Sequence, residues 1–181
     1  MKNPVLKSWS RLVFQLFIFS ILSFGILQSC GNEESSETSS TRKALPGTAF
    51  EHEGNLYFGI SDGENLDSGT VEIKIEIAET EGAITQGLMN RTSMDFDKGM
   101  LFIFDDNRER SFWMKNTIIS LDIIFIDINN KIVAIKERTT PYSEAQVTSN
   151  NIPAKYVLEV NAGFASKHGI QVGNEISFER I

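Results

Sequence analysis

The sequence predicts a mostly β fold: an antiparallel β-sandwich or partly closed barrel of about six or seven strands with two short helices. Three observations predict it. Val71, Ile73, Ile75 and Ile77 alternate with Glu72, Lys74 and Glu76, the period-two pattern of a strand with one wet face. Short apolar runs then recur down the chain, bounded by Gly, Asn, Asp and Pro, as strands joined by turns are. No long helical stretch separates these runs, so a parallel sheet built on helical crossovers is not expected.

In chain order, residues 48–69 are Gly-, Asp- and Asn-rich with one apolar patch, Leu56-Tyr-Phe-Gly-Ile60. They read as an extension, a hairpin or a loop, packing on the main domain of residues 70–181. After the 70–77 strand, Thr80 is placed to cap a short helix running through Leu88. Gly99-Met-Leu-Phe-Ile-Phe104 is a buried strand and Ser111-Phe-Trp-Met114 another. Leu121-Asp-Ile-Ile-Phe-Ile-Asp127 and Lys131-Ile-Val-Ala-Ile-Lys136 flank Asn129-Asn130, which predicts a hairpin because Asn tolerates positive φ. Residues 139–153 read as a loop carrying Pro141 and Pro153, followed by a strand at Lys155-Tyr-Val-Leu-Glu-Val160. Asn161 is expected to cap a short helix that Gly169 ends, and residues 174–181 close the chain as a last strand.

The first thirty residues differ from the rest. Lys2, Lys7 and Arg11 are the only charges before Cys30, and a sixteen-residue apolar run, 12–27, follows them. A spanning helix needs roughly 20 apolar residues, so the layout is that of a secretory signal over residues 1–29. The run ends in Leu27-Gln28-Ser29-Cys30, which resembles a bacterial lipobox. Cys30, the only cysteine, is then the lipidated residue. Residues 30–47 form an acidic, Ser/Thr-rich flexible tether. The expectation is a bacterial outer-membrane lipoprotein, periplasmic or surface-exposed, joined to the membrane through lipid on Cys30.

Composition narrows the chemistry. Acidic residues outnumber basic ones 24 to 17, giving a net charge of −7, which argues against nucleic acid as a partner. One cysteine and two histidines leave no cysteine-based zinc site and no histidine-rich centre. Asp95, Asp97, Asp105 and Asp106 lack the spacing of an EF-hand loop and read as solvated turn acids. No serine sits in a nucleophile elbow. Neither metal nor cofactor is expected.

Three stretches stand out: Gly87-Leu-Met-Asn-Arg91, Gly99-Met-Leu-Phe-Ile-Phe104, and Phe112-Trp-Met-Lys-Asn-Thr117 followed by Leu121-Asp-Ile-Ile-Phe-Ile126. In this order and spacing the chain resembles domain-of-unknown-function family 192, small bacterial and archaeal domains that are often secreted. Val157-Leu-Glu-Val160, Ala162-Gly163 and Gly169-Ile170-x-x-Gly173 match the family's C-terminal part. The resemblance runs from Val71 to the C-terminus and implies a compact, β-rich, sandwich-like domain. It implies no activity.

The physical reading points to Asp122. It shares a strand face with Ile124 and Ile126, while Leu121, Ile123 and Phe125 take the other. A carboxylate on a strand apolar on both faces must find a cation or several donors. Arg91, Lys115 and the Asn116 amide are the candidates. One reading is a structural tie. The other is a binding cleft formed by Arg91, Trp113, Lys115, Asn116 and Asp122, with methionines as walls. Such a module would take a small polar ligand, a glycan or an envelope protein as partner. The alternatives are an envelope hydrolase with Asp122 as acid or base and Lys115 or Arg91 stabilising anionic charge, and a structural protein without a ligand. Asp122 and Glu159 approaching across strands would suit glycoside chemistry, although Glu159 reads equally as a solvated strand residue.

Overall fold

The computed structural model describes residues 49–59 and 69–181. The leader, Cys30 and the tether lie outside the described residues, as does Ile60. Seven strands and two short helices follow in order: β1 (Gly54–Gly59), β2 (Thr70–Ala78), α1 (Glu81–Gln86), β3 (Lys98–Phe112), β4 (Leu121–Ile126), β5 (Ile132–Lys136), β6 (Val147–Asn161), α2 (Phe164–His168) and β7 (Glu175–Arg180). They form one sheet in the order β5-β4-β6-β3-β2-β1-β7. Five of the six neighbouring pairs are antiparallel. The exception is β2 with β3, which run parallel. The reason is the connection between them: nineteen residues including α1 suffice to return the chain to the same end of the sheet.

The sheet curls until its two edges meet. Ile132 N–H donates to Asn174 O (2.9 Å), Gly173 N–H to Ile132 O (2.8 Å), and Ile176 N–H to Asn130 O (2.9 Å). These bonds join the start of β5 to the start of β7, giving a curled half-barrel. Leu56, Phe58, Ile73, Ile75, Leu101, Ile124 and Leu158 pack inside the curl with Phe164 and Ala165 of α2. Leu88, Met100, Phe102, Met114, Ile123, Phe125 and Val157 pack on the other face, where Ala83 and Ile84 of α1 join them. The parity predicted for β4 holds, and all six of its residues are buried.

Several local expectations are met. Thr80 caps α1, its hydroxyl accepting from Ala83 N–H at 3.2 Å. The β4–β5 hairpin turns at Asn130 (φ 63°), with Asp127 Oδ1 accepting from Asn129 and Lys131 N–H.

Three readings are corrected. The strands expected at 99–104 and 111–114 belong to one strand, β3, which carries register shifts against β6 after Ile103 and Glu109. The expected 139–153 loop ends early, because β6 begins at Val147 and passes through an irregularity at Asn150 and Asn151, both with positive φ. Asn161 does not cap α2: its amide donates to Met94 O and Asp95 O instead. The apolar patch in 48–69 does more than pack on the domain. As β1 it is an interior strand, hydrogen-bonded to β2 on one side and β7 on the other.

Candidate functional site

Asp122 lies on β4 and is fully buried on the inner face of the sheet. Its carboxylate meets neither Arg91 nor Lys115 nor Asn116. Its Oδ1 accepts from Arg138 N–H (2.8 Å) and Gly163 N–H (3.0 Å), and its Oδ2 from Ala165 N–H (3.0 Å). Gly163 begins α2 in a left-handed conformation and offers no side-chain cap of its own. Asp122 therefore caps that helix from across the sheet, supplying the oxygen that its own first residues lack. The register explains the rest. Asp122 lies opposite Val160 and Ile123 opposite Glu159, so Asp122 and Glu159 point to opposite faces and cannot act as a carboxylate pair.

Of the other four predicted residues, Lys115 and Trp113 lie together, but none of the four bonds Asp122. Arg91 is buried and paired with the equally buried Glu76, Nη1 to Oε2 at 2.6 Å and Nη2 to Oε1 at 2.8 Å. Glu76 Oε1 also accepts from Glu51 N–H (2.9 Å), tying the segment before β1 to the pair. Lys115 sits 5.1 Å from the centroid of the Trp113 ring and 3.8 Å from Glu144. Asn116 takes a positive φ (54°), and its carbonyl accepts from Asn90 N–H at 2.9 Å. Trp113 is 48% exposed and lies at the edge of a cleft.

That cleft has a volume of about 500 Å³. Thr85 and Gln86 of α1 and the Leu88–Met89 turn form one wall, and Phe104, Arg110 and Phe112 of β3 belong to the other. Gly87 ends α1 at φ 45°, and a Cβ there would stand 3.3 Å from Phe102 Cζ, so the turn hugs the strand closely. The Asn90–Asn116 bond joins this turn to the segment after β3. Phe112 stacks edge-on against Phe102, with centroids 5.0 Å apart. Arg110 is buried: its Nε donates to Ala154 O (2.9 Å), its Nη2 bonds Asp106, and its guanidinium lies 3.9 Å over the Phe104 ring. Arg110 in turn holds the Asp106 carboxyl below its ordinary range.

Glu159 of β6 also lines this cleft. It is 5% exposed and lies beside Met100 on β3 and Ile123 on β4. Among the described residues no donor or neighbouring charge stabilises its ionised form; burial pushes the carboxyl up to about 8. Burial therefore favours its neutral form over the carboxylate. Sequence reading did not select Glu159, yet the signal was present. Leu158 and Val160 occupy one face of its strand and Val157 shares its own, the same two-faced apolar setting that singled out Asp122.

Among the described residues no three His, Cys, Asp or Glu side chains converge on a metal-sized site. Asp95, Asp97 and Asp106 each pair with a basic residue instead.

The family model for DUF192, described as an uncharacterized ACR, matches residues 64–178. Among solved structures, the chain is similar to a Sinorhizobium meliloti 1021 protein described as a candidate transcription regulator. Identity is 35%, the match covers 70% of this chain and 93% of that one, and the TM-score is 0.65. A Novosphingobium aromaticivorans DSM 12444 protein of unknown function is 31% identical over 68% of this chain and 83% of that one, with a TM-score of 0.62. No curated protein matches the chain.

Proposed function

The chain belongs to the DUF192 family, whose function is unknown, and on that premise we propose that it is a binding module taking a small ligand into the cleft above Glu159. One observation carries the reading: the Glu159 carboxyl, with no bonding partner among the described residues, lines a cavity with aromatic walls. A carboxyl that opens onto a cavity within the size range of small-molecule sites fits a ligand's polar head. Leu88, Phe102, Phe104, Phe112 and Trp113 suit the ligand's apolar body.

A hydrolase would need a second group working with Glu159, and the cleft's other charged side chains are held elsewhere, Arg108 and Arg110 by Asp106 and Glu109 by Asn151 N–H. The regulator description belongs to the Sinorhizobium protein, and the −7 net charge of this chain does not favour contact with nucleic acid.

The reading extends to location. We propose anchorage at the bacterial outer membrane through lipid on Cys30, supported by the basic start, the short apolar run and the Leu27-Gln28-Ser29-Cys30 ending. Cys30→Ala should abolish incorporation of labelled palmitate and leave the protein unprocessed in cell fractions.

The binding reading is tested by thermal shift of the full chain against small molecules with apolar bodies and single polar heads. Saturating ligand should raise the melting point by a few degrees. Thr85→Trp, an exposed change at the rim that fills the mouth, should remove the shift. A panel that leaves both proteins unmoved overturns the reading.

A further inference from the structure

The cleft has a chemistry of its own that narrows the ligand. Glu159 faces Met100 and Ile123 from the flanking strands. The wall from α1 contributes only Ile84, Thr85 and Gln86. The other charged groups lining the cavity all come from β3: Arg108, Glu109 and Arg110. Both arginines are already engaged. Arg108 pairs with Asp106 at 3.1 Å, and Arg110 is held by Asp106 and Ala154 O. Neither delivers its charge to Glu159, whose carboxyl responds to burial alone.

Two aromatic rings of the cleft already receive cations. Arg110 covers Phe104 at 3.9 Å, and Lys115 lies 5.1 Å from the Trp113 centroid. The aromatic lining and the lone acid are both complementary to positive charge.

From this arrangement we propose that the cleft receives an alkylammonium group, its cation bonded to the Glu159 carboxylate and its apolar stem lying against Phe102, Phe112 and Trp113. This rests on the reading of the cleft as a ligand site and names the class of ligand. Above pH 8 the energetics favour it over a neutral head. Ionising a carboxyl that titrates at about 8 costs about tenfold in affinity at pH 7 and almost nothing above pH 8. A charge-assisted hydrogen bond out of water exceeds a neutral one by about tenfold or more. An anionic head would meet an acid, with Arg108 and Arg110 both turned to Asp106.

The test uses four probes with the same stem: hexylammonium, hexanol, hexanamide and hexanoate. The full-length chain, in detergent and labelled at the glutamate carboxyl carbons, is titrated with each at pH 6.5 and pH 8.5. The Glu159 resonance is identified by its loss in Glu159→Gln. At pH 8.5 hexylammonium should bind about tenfold or more tightly than hexanol, and its advantage should shrink by about 25-fold at pH 6.5. It should also lower the pH at which the Glu159 resonance titrates. Followed through neighbouring methionine methyl signals, Glu159→Gln should bind hexylammonium no better than hexanol. Trp113→Leu should weaken ammonium and alcohol alike. Hexanol or hexanamide binding as tightly as hexylammonium at pH 8.5 overturns the ammonium assignment and leaves the cleft a ligand site. No response to any probe overturns both.

Discussion

At the residue scale, two buried carboxylates one register position apart have opposite fates. Asp122 is saturated by three backbone N–H donors, whereas burial alone acts on Glu159. The consequences for stability differ accordingly. Folded, Glu159 keeps its proton up to about pH 8, against the ordinary 4.5. A raised acid favours the folded state fully below pH 4.5, and that contribution is lost as the pH climbs through 8. The loss has an upper bound of about 5 kcal/mol. Glu159→Gln removes this dependence, so the variant should melt about 5 °C or more above the parent at pH 8.5 and close to it at pH 4.5, as read by calorimetry. Asp122→Asn replaces one acceptor oxygen with a donor that faces Ala165 or the Gly163 and Arg138 amides. Urea denaturation should register a loss of about 3 kcal/mol. Because Asp122 lies on the inner face, the folded variant should keep the parent's ligand response in the cleft.

At the scale of elements, the sheet depends on close backbone approach at two glycines. A Cβ on Gly54 would stand 2.4 Å from the Glu179 carbonyl oxygen, where β1 passes β7. A Cβ on Gly99 would stand 2.9 Å from Glu159 O and 3.0 Å from Val160 Cγ1, where β3 meets β6 below the cleft. Gly59, on the same strand as Gly54, leaves 3.6 Å to its nearest neighbour, Glu175 O. Gly54→Ala should therefore cost about 2–3 kcal/mol through forced strand separation. Gly59→Ala should change stability by less than about 1 kcal/mol. Paired urea titrations make the comparison, and equal losses at the two sites would count against backbone crowding as the cause. The same strand shows why β1 belongs to the domain: Leu56 and Phe58 are fully buried in the inner core, and without β1 the facing edges of β2 and β7 would stand open.

At the scale of the molecule, the curl is held shut by backbone bonds between residues 130–132 and 173–176. Asn174 organises this seam: its Oδ1 accepts from Gln171 N–H (2.7 Å) and its carbonyl from Ile132 N–H. Asn174→Ala should speed amide exchange at Gln171, Ile132 and Gly173 by about tenfold, while Leu158 at the sheet centre keeps its protection. The β-rich class, the two faces of β4, the Thr80 cap and the turn at Asn130 were legible in the residues alone, because side-chain parity, capping and backbone tolerance are local properties. The sequence also contained the stretches that converge on the cleft: Leu88–Met89, Phe102–Phe104, Phe112–Trp113 and Glu159. It did not determine that β2 and β3 run parallel or that Asp105 and Asp106 lie within a continuous strand, since both depend on how distant segments pair. Nor did it decide which carboxylate is satisfied. Asp122 and Glu159 have the same kind of apolar surroundings in sequence, and only the register of β4 on β6 and the cover over each face set them apart. α2 brings backbone donors to Asp122. The other face leaves Glu159 beside open space, because a buried charge is governed by what the fold packs against it and not by its neighbours along the chain.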